Sequence, residues 1–528
     1  MKREFKARLD CRDCDNGEII DKILHLRNID DIDNFLSPTE DDFLPLDSLK
    51  NIDKAYCVVE YAIDKKLKIH IHFDSDCDGC TSGTIMKRYL ANFTNNIEVS
   101  INQGKEHGVE NLESNADLLI IVDSINKATE YNKFTDNGTK VIILDHHIPP
   151  SNIEEYSSVC LVSSAVDYPN PELSGAGVVW KFCKYIDYMW LTDYADDLVD
   201  LAACGIVADM VDLSAPENRY IVNEGFSHLN NKAIKQINGS YPFNAQAVSF
   251  GIAPLINAAQ RLRKNRLALD LFLSDDVNEV KKLVKELKTC KEEQAEIVEM
   301  LMPEILEQAQ DQIGNKVICV VIDTDADVSG LLGNKLISKY QRPILILKDR
   351  GSVYGGSGRG YGIEDFMQYV NDTGLAKAEG HPNAFGVIVD KDNLGDLLSR
   401  LDAALRDVEF KVVHEADVLL DVEQIDDTLI NNFKAIDRIS GSGFKPLTVM
   451  LQGVEDYTVG DMSKGKHLKL DCGGFLAIKW NFDGNWDEFD EGSVDMIGTL
   501  SSGYFGRTFY RQLIIQDYKV GDNDAQEI

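Results

Sequence analysis

Three short apolar runs, each ending in a carboxylate, constrain this chain more than any other feature. KIHIHF (68–73) leads into Asp74, DLLIIVD (117–123) ends in Asp123, and KVIILD (140–145) ends in Asp145 followed by His146 and His147. β-Branched runs of this length read as buried strands, and the helical stretch TSGTIMKRYLANF after the first makes the pattern strand, turn, helix. That alternation predicts a parallel α/β sheet. In such sheets ligands bind at the carboxyl ends of the strands, which is where these Asp and His residues gather.

The first of these ends, HFDSDCDGCTSG (72–83), carries Asp74, Asp76 and Asp78 on alternate positions and threads Cys77 and Cys80 between them. As an EF-hand the loop fails twice, because position 12 falls on Ile85 where a bidentate Glu is required and because a strand, not a helix, precedes it. A zinc site pairing Cys11 and Cys14 with Cys77 and Cys80 would need partners much farther apart than in a compact ribbon. A redox pair is disfavoured, since three neighbouring carboxylates raise the thiol pKa and leave less thiolate. Packing is the expected role of both cysteines. A fourth carboxylate, Asp209, closes the nearly all-apolar helical run LAACGIVADMVDL, and a carboxylate in such surroundings calls for a partner or a metal.

The 528 residues are too many for one core and suggest about three or four domains. Residues 1–46 form an N-terminal extension expected to pack on the first domain, and 47–225 the parallel α/β unit. Residues 226–314 are helical, with SDDVNEVKKLVKELKTCKEEQAEIVEMLM reading as a Ser-capped connector of roughly 40 Å. A second α/β unit is expected at 315–410, a C-terminal all-β barrel at 411–520, and a disordered tail at 521–528. The net charge of −34 argues against a generally basic nucleic-acid-binding surface, although bound divalent metal can reverse the sign locally. Eleven cysteines without a secretory signal favour free thiols, and no apolar run reaches the length of a membrane span. A cytoplasmic monomer is the expectation.

With these residues assembled, the chain resembles the DHH phosphoesterase superfamily. His72-x-x-x-Asp76-x-Asp78, Asp123, Asp145-His146-His147 and Asp209 in GIVADMVDL are similar to its four ordered motifs. Within it the resemblance is to the RecJ single-strand exonucleases, carried by DSDCDGCTS, DHHIPP, SGAGVVWKF, GIVADMV, APLINAAQR, GSGR and GHPNAFG in that order over about 450 residues. KHLKLDCGGFLAIKWN and VDMIGTL with QLIIQD resemble that family's oligonucleotide-binding barrel.

The resemblance implies a two-metal site. Oxygen and imidazole donors without thiolate suit Mn²⁺, with Mg²⁺ a possible substitute. It implies that His72, Asp76 and Asp123 hold one ion and Asp78, Asp123, His146 and Asp209 the other, with Asp123 bridging. His147 would face the scissile phosphate, Asp145 would orient the histidines, and Asp74 would serve as a further ligand or general base. For substrate, GGSGRGYG (355–362) reads as a Gly-rich turn in which Ser357, Gly358 and Arg359 meet a phosphate, and the resemblance adds Arg261 and His381. Lys335 stands where the family often has arginine. The chain departs from the family at Gln260, at Glu379, in DTDADVSG, which lacks an expected histidine, and in SINQGKEHG, where Lys105 is the cation nearest to a missing arginine.

The implied activity is Mn²⁺-dependent hydrolysis of single-stranded DNA from the 5′ end to 5′-mononucleotides, with a single-strand-binding protein or a helicase as a partner. Two rivals stand beside it. A DHH phosphodiesterase for short oligoribonucleotides or cyclic dinucleotides would not need the added barrel. A non-catalytic replication scaffold would have lost ligands that are all present here.

Overall fold

The computed structural model describes residues 4–104, 106–410, 413–462, 465–482, 484–489, 492–505 and 508–521. Lys105 and the tail from 522 onward therefore lie outside the described residues. The chain opens with β1 (Glu4–Asp10), followed by the five strands of the first α/β unit: β2 (Ile69–Phe73), β3 (Ile97–Ile101), β4 (Leu118–Val122), β5 (Lys140–Asp145) and β6 (Cys160–Ser163). These five pair in parallel in the order β3-β2-β4-β5-β6. β2 and β4 are buried at every position, as strands covered on both faces must be.

Because the chain runs from β2 out to β3 and then returns to β4 on the other side, the strand order reverses between β2 and β4. A crevice opens at such a switch point. The register makes it a shared edge, since Phe73 pairs with Val122 and Val122 with Leu144, so that Asp74, Asp123 and Asp145 emerge side by side. Three helices back this edge. Cys77–Leu90 starts on Asp76, whose side chain accepts from Gly79 N at 3.0 Å. Gly175–Trp190 starts on Ser174, and Val199–Ala208 ends at Asp209.

The connector is a single helix, Val277–Gln310, about 50 Å long for its 34 residues. Its N-cap is Asp276, which accepts from Asn278 N and Glu279 N, and not Ser274, whose hydroxyl donates instead to Glu279. The second unit contains β7 (Ile318–Ile322), β8 (Ile344–Arg350), β9 (Val353–Arg359), β10 (Ala376–His381) and β11 (Ala384–Asp390), in the order β10-β11-β9-β8-β7. Only β7 and β8 are parallel; the other pairings are antiparallel. GGSGR is thus a strand rather than the expected turn. Its glycines are needed for sheet packing: a Cβ on Gly356 would lie 1.9 Å from Ile346 O, and one on Gly358 would lie 2.2 Å from the Phe385 ring.

The last sheet runs β1-β12-β13-β17-β18-β16-β15-β14, where β12 is Val413–Leu420, β13 Val449–Val454, β14 Thr458–Met462, β15 His467–Asp471, β16 Leu476–Lys479, β17 Ser493–Phe505 and β18 Thr508–Gly521. Among the described residues no ladder joins β14 to β1, so the strands of the expected barrel are not closed by that pairing. The first part of the N-terminal extension belongs here and not on the first domain. β1 pairs in parallel with β12, and Ile19, Ile23, Leu24 and Phe35 share a core with Leu429, Phe433 and Phe444. Contact with the first unit starts at Phe35, whose ring centroid lies 3.4 Å from Arg219 Cζ, and continues through Phe43 and Leu44.

Candidate metal centre and substrate cleft

Asp123 immediately follows β4 and has φ +57°, a left-handed conformation unusual for a non-glycine residue. Its backbone N–H still donates to Leu144 O at 2.9 Å, which fixes the carboxylate at the switch point. A Cβ added to Gly175 would stand 2.5 Å from Asp123 Oδ1, so the helix N-terminus behind it can approach only because that residue is glycine. Asp78, completely enclosed in the first turn of its helix, accepts from Ser174 Oγ at 3.2 Å and Ala176 N at 3.1 Å.

His146 Nε2 lies 3.2 Å from Asp123 Oδ1 and 3.6 Å from Asp209 Oδ2. Three sets of donors come within 4.8 Å of one another: Asp74, Asp76 and Asp123; Asp78, His146 and Asp209; and Asp123, Asp145, His146 and His147. Asp123 and His146 each belong to two of these sets, so the cluster is continuous. Asp78 Oδ2, Asp123 Oδ1 and His146 Nε2 are buried without a hydrogen-bond partner, a costly arrangement for three strong polar groups unless a cation satisfies them. The donor set is oxygen and imidazole only, which fits Mn²⁺ or Mg²⁺.

The electrostatics agree. Burial, followed by the charge of Asp76, pushes Asp78 up to about 7, and burial together with Asp78 pushes Asp209 up to about 8. Burial and the same neighbours drive Asp123 well above the usual carboxylate range. Burial pulls His146 down to about 4, keeping it neutral as a ligand must be. His147 behaves oppositely. Burial opposes its charge, but Nδ1–H donates to Asp145 Oδ1 at 2.9 Å, and that carboxylate lifts it to about 9. Asp145 is fully buried and held below its ordinary value, since His147 and His146 outweigh its desolvation.

His72 stands outside the cluster. Its Nδ1 meets Ser100 Oγ at 2.8 Å, and its Nε2 lies 3.2 Å from Asn102 Oδ1 and from Gly108 O, so both ring nitrogens are engaged by neighbours of the strand edge. Asp74 occupies the corresponding place in the first donor set. A residue not picked out from the sequence is His107, whose Nδ1 lies 2.9 Å from Asp74 Oδ1 and whose ring faces the cleft. It sits in SINQGKEHG, two residues after Lys105. Gln260 is explained, because it donates to Ser75 Oγ at 2.9 Å and braces the metal loop. Cys77 and Cys80 are buried in the first core and Cys11 in the last one, so the two pairs cannot share a zinc.

A cleft of about 1010 Å³ separates the two α/β units, with His107 and Arg263 on one side and Ser329, Ser357 and Arg359 on the other. Ser357 Oγ is 2.8 Å from Ser329 Oγ. Arg359 Nε donates to Asn334 Oδ1 at 3.0 Å, and Arg261 Nη1 to Gln294 Oε1 at 3.1 Å. Burial lowers the pKa of both arginines, and the charge of Arg359 adds to the effect on Arg261. Gly358 packs under Phe385 and contributes backbone only. Lys335 and His381 are exposed and do not line this cleft, whereas Glu379 and Gly380 next to His381 do.

Comparison with known proteins settles the family. A family model described as "DHH family, N-terminal domain" matches residues 66–206. The SPbeta prophage protein YorK of Bacillus subtilis (strain 168), named for a single-strand DNA-specific exonuclease, is 30% identical over 75% of this chain and 76% of its own length. The chain belongs to the DHH family, among its RecJ-like members. The single-stranded-DNA-specific exonuclease RecJ of the same organism is 27% identical over 92% of this chain and 66% of that protein. Among solved structures, RecJ of Thermus thermophilus in complex with Mn²⁺ superposes with a TM-score of 0.81 at 22% identity, covering 98% of this chain and 80% of that one. That likeness is one of fold. A structure of exonuclease RecJ bound to manganese gives a TM-score of 0.58 at 26% identity, over 70% of this chain and 97% of that one.

Proposed function

We propose that this RecJ-like chain is a metal-dependent exonuclease that hydrolyses single-stranded DNA in the 5′-to-3′ direction, releasing 5′-mononucleotides. The observation that carries this reading is the continuous cluster of carboxylate and imidazole donors, several of them buried without a partner, joined through His107 and its contact with Asp74 to a cleft whose other wall presents Arg359. Asp74, Asp76 and Asp123 would hold one divalent ion, and Asp78, His146 and Asp209 the other. Bound there, such ions would supply a hydroxide nucleophile and offset the negative charge on the phosphoryl oxygens.

The chain's own groups do the rest. Asp145 holds His147 in one orientation, so that its Nε2–H is left to donate to a phosphoryl oxygen as negative charge builds. Ser357 and Arg359 offer a hydroxyl and a planar guanidinium to the strand. Arg261, behind them, positions this wall: Asp327 N–H donates to its carbonyl at 3.0 Å, tying the two units together. The C-terminal sheet would extend the grip by stacking bases, and a single-strand-binding protein or helicase is the class of partner that would deliver DNA to so acidic a monomer in the cytoplasm. No helix among the described residues is long and apolar enough to cross a membrane.

The test uses single strands labelled at either end, incubated with Mn²⁺. Mononucleotides should appear first from the 5′ label, and both Asp123→Ala and His147→Ala should abolish release. Activity that survives Asp123→Ala, or release starting from the 3′ label, would refute the proposal.

A further inference from the structure

The helix Ala253–Arg261 ends in a Schellman motif. Lys264 N–H donates to Ala259 O at 2.8 Å and Arg263 N–H to Gln260 O at 3.0 Å. The position after the C-cap in this motif takes a left-handed backbone, and glycine is its usual occupant. Here it is Arg263, with φ +57°. A bulky residue kept in that conformation at the mouth of a cleft is a reason to look for a task.

The surroundings define one. Arg263 is exposed, lines the cleft, and among the described residues has no hydrogen bond or ion pair to its guanidinium. Its stem lies against the loop after β3, since a Cβ added to Gly104 would stand 3.2 Å from Arg263 Cγ and 3.4 Å from Nε. That loop is pinned from below, because Asn265 accepts from Gly104 N at 2.8 Å and donates to Gly104 O at 3.0 Å. The guanidinium is therefore directed by packing while its donors stay available. The carboxylates nearby are Asp327, which also approaches Lys348 Nζ at 3.6 Å, and Glu106 of the same loop. The loop sequence SINQGKEHG contains no arginine of its own.

We infer that Arg263 is a phosphate subsite of the cleft, gripping a backbone phosphate of the bound single strand from the side opposite Arg359. The inference rests on the exonuclease reading above. A planar guanidinium with free donors suits a phosphodiester, and the strand would gain a contact on the metal-bearing unit that the second unit cannot supply. A cation here also complements the partial negative charge at the helix C-terminus, but that role would touch stability alone.

The experiment measures kcat/KM for a 5′-phosphorylated oligodeoxythymidylate in Mn²⁺ across a series of salt concentrations, together with thermal unfolding. Arg263→Gln should lower kcat/KM about 10-fold and reduce the magnitude of its log–log salt slope by ~0.7, the amount for one lost phosphate contact on a single strand. Arg263→Gly should show the same losses while its unfolding midpoint stays level or rises, because glycine relaxes the left-handed backbone. Arg266→Gln is the control, since Arg266 pairs with Asp270 outside the cleft and should leave both quantities unchanged. Variants with wild-type kcat/KM, or with a loss that leaves the salt slope intact, would overturn the subsite. A wild-type protein that releases no nucleotides would instead remove the exonuclease reading beneath it.

Discussion

Gly205 lies inside the helix Val199–Ala208, behind the metal centre, and its replacement by alanine separates stability from function. A Cβ there would fall 2.2 Å from Asp78 Oδ1, 2.4 Å from Ala176 Cβ and 2.6 Å from Thr81 Oγ1. Restoring ordinary contact distances requires shifts of about 1 Å in three helices packed against one another. Overpacking of this kind costs about 1–3 kcal/mol, whereas removing a mid-helix glycine returns about 1 kcal/mol, so the net loss of stability should be modest, ~0–2 kcal/mol. The effect on chemistry should be larger, because a misplacement of about 1 Å at a reacting centre costs ~10²-fold in rate. Nuclease activity titrated with Mn²⁺, beside thermal melts with and without the metal, reads both quantities. Gly395→Ala is the matched control, a helical position where an added Cβ meets nothing within 4 Å, and it should be neutral or slightly stabilising. If Gly205→Ala retained activity within threefold and the wild-type Mn²⁺ midpoint, the claim that this packing sets the position of Asp78 would be wrong.

Two further outcomes concern the scaffold. Burial holds Asp437, in the core of the last unit, up to about 6. Its folded pKa lies above the unfolded value, so the native state binds more protons between about pH 4 and 6 and stability falls as pH rises through that window; Asp437→Asn should remove the penalty of ~3 kcal/mol and flatten the urea midpoint against pH, and a midpoint that falls as steeply as in wild type would exclude this cause. Lys181, fully buried, donates to Glu217 Oε1 at 2.8 Å and to Leu44 O, fastening the segment from the last unit onto the first. Lys181→Met should cost ~3–5 kcal/mol by stranding the Glu217 charge, and adding Glu217→Gln should recover much of it; in chemical denaturation, simple additivity of the two changes would count against a coupled pair.

How much of this was legible from sequence depended on the range over which each feature is determined. Asp74, Asp123 and Asp145 could be placed together because each directly follows or ends an apolar strand, and parallel strands of one sheet end on one edge. Asp209 was legible from the opposite contrast, a carboxylate closing an apolar helix. His72 stands apart from the donor sets for a local reason as well. Strand alternation puts His70 and His72 on one face, where both rings meet Ser100 Oγ on the neighbouring strand, at 2.7 and 2.8 Å. Spacing to Asp76 gave no sign of that serine. The glycines of β9 looked like a turn because only the neighbours they admit, Ile346 O and the Phe385 ring, mark them as strand residues. The pairing of β1 with β12 joins residues some 400 positions apart and leaves no local trace in MKREFKARLD.

Arg263 falls between these cases. Residues 226–314 read only as helical from the sequence, and nothing after INAAQR signals a left-handed arginine, because the usual glycine marker of a C-terminal cap is missing. The motif forms anyway, and in it both the hydrogen bond from Lys264 N–H to Ala259 O and the anchoring of Gly104 by Asn265 are made. Where tertiary contacts hold a residue against its own backbone preference, propensity fails as a guide to structure. The same failure locates a side chain whose position has been bought at a cost, and in this chain it lines the cleft alongside His107, the residue that contacts Asp74.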